Sequence, residues 1–116
     1  RMYSLWSGVG AQKIHQWPAT KLQVAGSQLF LECSTEGISE PNLYWYHQPL
    51  GGGLHLLTYS ISINHVENEM PHRFSSLRSR NTLFQLSSQK LFVNDSGFFF
   101  CAWSLTLNGV RHITVQ

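Results

Sequence analysis

The chain is 116 residues long, 42% hydrophobic and 13% aromatic, and eight Lys and Arg against six Asp and Glu leave a net charge of +2. That length holds one core and excludes a second. The charged fraction of 12%, about half the ordinary ~25%, excludes a disordered chain, a solvated coiled coil and a charge-driven binder, so no nucleic-acid partner is expected.

Residues 1–11, RMYSLWSGVGA, differ in character from the rest of the chain and are expected to be a leader remnant or flexible tail, with 12–116 as the folded domain. From Gln12 onward the pattern is short segments broken by turns, and none sustains a helical apolar period. Leu29, Leu31 and Cys33 alternate with Gln28, Phe30 and Glu32. Leu43 and Trp45 alternate with Tyr44, Tyr46 and Gln48. Phe99, Cys101 and Trp103 alternate with Phe98 and Phe100. Each run predicts a strand with one buried face. Gly26-Ser27, Glu36-Gly37, 39–42, 49–53 and 94–97 supply the turns between them, as in an all-β sandwich or barrel. No apolar run approaches the ~20 residues of a membrane helix, so no direct membrane insertion by this segment is expected.

Only Asp95 and five Glu supply carboxylates, too few for a dyad or a metal cage. The six histidines, at 15, 47, 55, 65, 72 and 112, form neither HxxxH nor HExxH. The chain also has no glycine-rich phosphate loop. No enzyme activity, cofactor or metal is therefore expected. Cys33 and Cys101 are the two cysteines and lie far apart, which excludes a CxxC site and fits one structural disulfide in an oxidising compartment.

Cys33, then Trp45, then Cys101 is the spacing of an immunoglobulin domain. In that frame the cysteines face inward from opposite sheets and Trp45 packs on their bridge. The sequence resembles the variable domain of a T-cell receptor β chain over roughly Gln12 to Ser104. The segments that carry the likeness are Ile14-His15-Gln16-Trp17-Pro18, Tyr44-Trp45-Tyr46-His47-Gln48, Leu56-Leu57-Thr58-Tyr59-Ser60, Leu86-Ser87-Ser88 and Asp95-Ser96-Gly97-Phe98-Phe99-Phe100-Cys101-Ala102-Trp103-Ser104. The resemblance implies an immunoglobulin V-type two-sheet Greek-key sandwich with one inter-sheet disulfide, its last strand supplied by an atypical tail. Trp45, Leu31, Leu86 and Phe99 would fill the core with Leu29, Phe84 and Leu91. Arg73 and Asp95 would form a structural ion pair at the base. Phe99 stands at the tyrosine-corner position without the hydroxyl that position uses.

The resemblance also implies where function resides. Tyr44, Tyr46, Gln48, Leu54 and Phe100 would form a face that pairs with the T-cell receptor α chain, the alternative being that this chain's own loops partly cover them. Three segments would meet peptide–MHC: 37–42 with Ile38, Ser39, Glu40 and Asn42; 60–65 with Ser60, Ile61 and Ser62; and Ala102 to about Val110 with Trp103 as anchor and Leu105. Asn94-Asp95-Ser96 is the acceptor pattern for an N-linked glycan at Asn94. Such a chain would reach the extracellular side of the plasma membrane through the secretory pathway, as part of a larger receptor. The rival readings are a V-set domain of an antibody light chain or adhesion receptor, and an unrearranged variable segment that does not pair. The last reading comes from the tail after Ser104, which lacks the family's Phe-Gly-x-Gly. Such a tail would leave the strand before it with an unpaired edge and promote self-association.

Overall fold

Strand β3 shows how the pattern becomes structure. Along Leu29–Glu36 the side chains of Leu29, Leu31, Cys33 and Thr35 are buried while Phe30 and Glu36 face solvent. This is the period of a pleated strand with one wet face. The computed structural model describes residues 2–3, 12–107 and 110–115. Among them the strands run β1 (Met2–Tyr3), β2 (Lys13–Trp17), β3 (Leu29–Glu36), β4 (Asn42–Pro49), β5 (His55–Ser62), β6 (His65–Asn68), β7 (Ser75–Arg80), β8 (Leu83–Ser88), β9 (Gly97–Leu107) and β10 (Val110–Val115). A single 3-10 turn, Val93–Asp95, precedes β9.

Two antiparallel sheets result, ordered β1-β2-β3-β8-β7 and β10-β9-β4-β5-β6. β4 pairs with β5, its chain neighbour, and with β9, which arrives only after the chain has built the other sheet. That long return makes the topology a Greek key. The inner faces meet in one core of Ile14, Leu29, Leu31, Leu43, Leu57, Phe74, Phe84, Leu86, Leu91, Phe99 and Trp103 around the Cys33–Cys101 disulfide. Trp45 is fully buried there, its ring 6.3 Å from that of Phe84.

The ends of the sandwich are set by the register of β4 on β9. Asn42 opposes Ser104 at one end, and Pro49 opposes Gly97 at the other. Gly97 has φ +152°, and a Cβ there would lie 2.2 Å from the Gln48 carbonyl oxygen, so only glycine fits. Of the 1–11 segment, Met2 and Tyr3 pair with Ile14 and Lys13, a strand where a loose tail was expected, while residues 1 and 4–11 lie outside the described residues.

The structure corrects the expectation of an open edge on β9. Val110–Val115 pair residue for residue with Ala102–Leu107, from Val110 opposite Leu107 to Val115 opposite Ala102. Two residues, Asn108-Gly109, separate the strands, and that dipeptide favours the tightest hairpin connection. The backbone is thus paired without Phe-Gly-x-Gly.

Candidate functional site

The outer face of the β4–β9 pair is built by alternation. Leu43, Trp45 and His47 point inward, so Tyr44, Tyr46 and Gln48 point out, beside Phe98 and Phe100 of β9. The face is less open than expected. Tyr44 is only 6% exposed, its ring stacked on Tyr59 at 6.1 Å and its hydroxyl sharing a 2.7 Å hydrogen bond with Ser104 Oγ. Tyr46 and Phe100 are half-buried, and Phe98 lies 6.5 Å from Phe100. Gln48 is exposed, as is Leu54, which lies just before β5. The rings of Tyr59 and Tyr46 from the same sheet lie against Tyr44, at 6.1 and 6.2 Å between centres.

The Asn42–Ser104 end gathers the first two expected recognition segments, with several corrections. Ile38 belongs to the core, Ser60 is buried with its hydroxyl donating to the Ser62 carbonyl, and Trp103 is 3% exposed within the core. None of these three side chains presents surface to a partner. Trp103 lies in phase with Phe99 and Cys101 on the inward face, because β9 continues as strand to Leu107. The third segment is therefore strand over most of its length, and Leu105 packs partly against the core. Asn42 is half-buried and donates from Nδ2 to Ser104 Oγ at 3.1 Å. Ser39, Glu40 and Ile61 are exposed, and Ser62 is half-buried. The turn between β5 and β6 adds exposed Ile63 and Asn64.

Arg78 on β7 holds this end together, and sequence reasoning missed it. Its side chain is fully buried, yet among the described residues no carboxylate pairs with it. It donates instead to carbonyls: Nη2 to Pro41 at 2.7 Å and to Asn81 at 2.7 Å, Nη1 to Ser60 at 2.9 Å, and Nε to Arg80 at 3.1 Å. Nη1 also reaches Ser60 Oγ at 3.2 Å. One planar guanidinium thus ties the bases of the 37–42 and 60–65 segments to the turn at Asn81. Desolvation pushes its pKa down from the ordinary arginine range. The sequence carries no signal for it, since apolar alternation would turn Leu77 inward, yet Leu77 is exposed and its neighbour Arg78 is buried.

At the opposite end Arg73 Nη2 donates to Asp95 Oδ2, and Asp95 also accepts the Phe92 N–H at 2.7 Å. The missing corner hydroxyl has a replacement. His47 stacks on Phe99 with ring centres 4.5 Å apart, and its Nε2–H donates to the Asp95 carbonyl at 2.9 Å. Burial pushes the His47 pKa below the ordinary 6.5, against the opposing pull of the Asp95 carbonyl and carboxylate. Gln16 links the sheets: Nε2 donates to the Phe99 carbonyl at 2.8 Å and Oε1 accepts the Cys101 N–H at 3.1 Å.

Among the described residues no cluster of three His, Cys, Asp or Glu could hold a metal, and no helix is long and apolar enough to cross a membrane. A family model described as "Immunoglobulin V-set domain" matches residues 16–114. The human protein "T cell receptor beta variable 30" is 55% identical over 97 residues, covering 84% of this chain and 87% of that protein. The mouse "T-cell receptor beta chain V region LB2" is 30% identical over 95 residues, covering 81% of this chain and 69% of that protein. Among solved structures, a chain from "Structural basis of T cell specificity and activation by the bacterial superantigen toxic shock syndrome toxin-1" superposes with a TM-score of 0.70 at 20% identity. It covers 89% of this chain and 92% of that one, a likeness of fold.

Proposed function

Since the chain belongs to the immunoglobulin V-set domains, and within them to the T cell receptor beta variable segments, we infer that it serves as the β-side recognition domain of a T-cell receptor. It would pair with an α-chain variable domain and present its Asn42–Ser104 end to peptide–MHC, on the extracellular side of the plasma membrane. The observation that carries this reading is the β4–β9 outer face. There an exposed Gln48, with an exposed Leu54 just before β5, lies beside the outward rings of Tyr44, Tyr46, Phe98 and Phe100. A flat aromatic sheet face with an amide that both donates and accepts suits pairing with a second sheet of the same kind.

Among the described residues, Ser39, Glu40, Ile61, Ile63, Asn64 and His65 are exposed in the 37–42 and 60–65 segments and free to meet a ligand. Arg78 positions the segments that carry them. A second reading, a variable segment that does not pair, draws on the tail without Phe-Gly-x-Gly. Coexpression with an α-chain variable domain separates the two. Under the first reading the domains copurify, and Leu54→Asp weakens the complex by about tenfold or more while the unfolding midpoint of the free domain stays put. Failure of a folded, disulfide-bonded chain to bind any α-chain variable domain supports the second.

A further inference from the structure

The end of the sandwich away from the recognition segments has an unusual surface. Val24, Leu50, Phe92 and Val93 are 52%, 62%, 54% and 80% exposed. The backbone segments that carry them converge on Ser96: its carbonyl accepts the Leu50 N–H at 3.0 Å, its Oγ accepts the Ala25 N–H at 2.9 Å, and its N–H donates to the Val93 carbonyl at 3.3 Å. Asn94 is exposed on the 3-10 turn that follows Phe92, next to Val93, and among the described residues no hydrogen bond engages its amide. The local sequence is Phe92-Val93-Asn94-Asp95-Ser96, an Asn-x-Ser acceptor with an aromatic two residues before the Asn.

We propose that Asn94 carries an N-linked glycan whose first sugar packs on Phe92 and shields this apolar end. Arg73 lies over the Phe92 ring at 4.0 Å from its centre, which occupies one face, yet the residue remains more than half exposed. The exposed part of the ring offers the apolar platform against which the C–H face of a pyranose stacks. Beside it runs an open groove of about 510 Å³, lined in part by Phe92, Ser88, Gln89 and Lys90, with the amide, hydroxyl and ammonium groups that suit sugar hydroxyls. Asp95, the acidic middle residue, is held by Arg73 and the Phe92 N–H in the folded chain, so its carboxylate is turned from the sugar.

The transfer itself occurs on the emerging chain, before the turn closes. Asn94 Nδ2 forms a bond to the anomeric carbon of an N-acetylglucosamine. That carbon's bond to the pyrophosphate of a polyprenyl-linked oligosaccharide breaks, the lipid pyrophosphate leaves with the electron pair, and the amide gives up one proton. No oxidation or reduction is involved.

This inference rests on the secretory reading of the chain, and the experiment separates the two. The full chain is translated behind a cleavable secretion signal in the presence of endoplasmic-reticulum microsomes, which tests transfer without requiring export. The wild type should gain the mass of one glycan, lost on peptide-N-glycosidase treatment, and Asn94→Gln should gain none. Ser96→Thr should raise occupancy, and Phe92→Ala should lower it at least twofold. No mass gain on translocated wild-type chain overturns the glycan whatever the receptor assignment. A chain that is glycosylated in microsomes yet not exported from cells counts against the secretory reading alone. Purified glycoprotein should bind less apolar dye than the same protein after deglycosylation, and equal dye binding overturns the shielding.

Discussion

His47 shows how a single residue can carry a role that its neighbours in sequence do not announce. The sequence places Phe99 where a tyrosine hydroxyl is normally used, and that gap is legible from Cys101 alone. The group that fills it comes from β4, through a ring stacked on Phe99 and an N–H aimed at the Asp95 carbonyl. No period or motif links positions 47 and 95, so only the folded register reveals the substitution. The groups facing His47 are Phe99, the Asp95 carbonyl and carboxylate, His55 and Arg73, and desolvation outweighs the attraction of Asp95. The folded pKa is therefore lower than the unfolded 6.5, and the unfolded chain binds more protons between the two values. His47 stabilises the fold fully above 6.5, and that contribution is lost as pH falls toward the lowered value. Urea midpoints taken from about pH 7.5 down to about pH 5 should decline in the wild type, with a shallower decline in His47→Gln. An identical slope in the two proteins removes His47 from the account. At neutral pH His47→Leu should cost about 1–3 kcal/mol, because the Asp95 carbonyl is left buried without a donor.

At the scale of strands and loops, the legible elements are those whose alternation is strict. β3, β4 and β9 are read from Leu29-Leu31-Cys33, Leu43-Trp45 and Phe99-Cys101-Trp103 because one face of each carries an unbroken apolar run, even though Thr35 and His47 extend two of those faces. β10 escapes a search for side-chain motifs, since the pairing of Val110–Val115 with Ala102–Leu107 needs only backbone. Trp103 occupies a loop position by resemblance, yet its parity with Cys101 directs it inward, and parity prevails. The recognition segments are legible only in part, since Ile38 and Ser60 turn into the molecule. Their shared support, Arg78, breaks the expectation that a cation is solvated, and nothing in a single sequence marks carbonyl oxygens as its partners. Truncation to Arg78→Met should destabilise the domain by about 3 kcal/mol, since the carbonyls of Pro41, Ser60 and Asn81 lose a charged donor together. It should also raise amide hydrogen exchange in 37–42 and 60–65 while leaving the β3–β8 ladder protected. Uniform exchange across both sheets contradicts a local role for Arg78 in holding those segments.

At the scale of the whole molecule, the described ties between the two sheets include hydrogen bonds from Gln16 of β2 to β9 and from Arg78 of β7 to Ser60 of β5. The Cys33–Cys101 bridge supplies the covalent link, with the paired residues 68 apart in sequence. This is the most legible feature of the fold, because two cysteines and an intervening Trp leave little freedom in a chain this short. A loop of that length restricts the unfolded chain by about 4 kcal/mol in the chain-entropy treatment. Domains of this size have total stabilities of about 5–15 kcal/mol, so the bridge is a large share of what separates folded from unfolded chain. The inner faces remain apolar without it, and Trp45 still packs against Phe84. Reduction should therefore leave a sandwich of the same topology at much lower stability rather than a different fold. Guanidinium titrations of the oxidised protein and of the Cys33→Ala/Cys101→Ala variant should give free energies differing by about 4 kcal/mol or more, because two small cavities add to the entropy term. The variant's far-ultraviolet spectrum should match the oxidised protein's wherever it is folded. A difference below about 1 kcal/mol would mean that packing across the sheets, with Gln16, already constrains the unfolded ensemble as strongly as the bridge does.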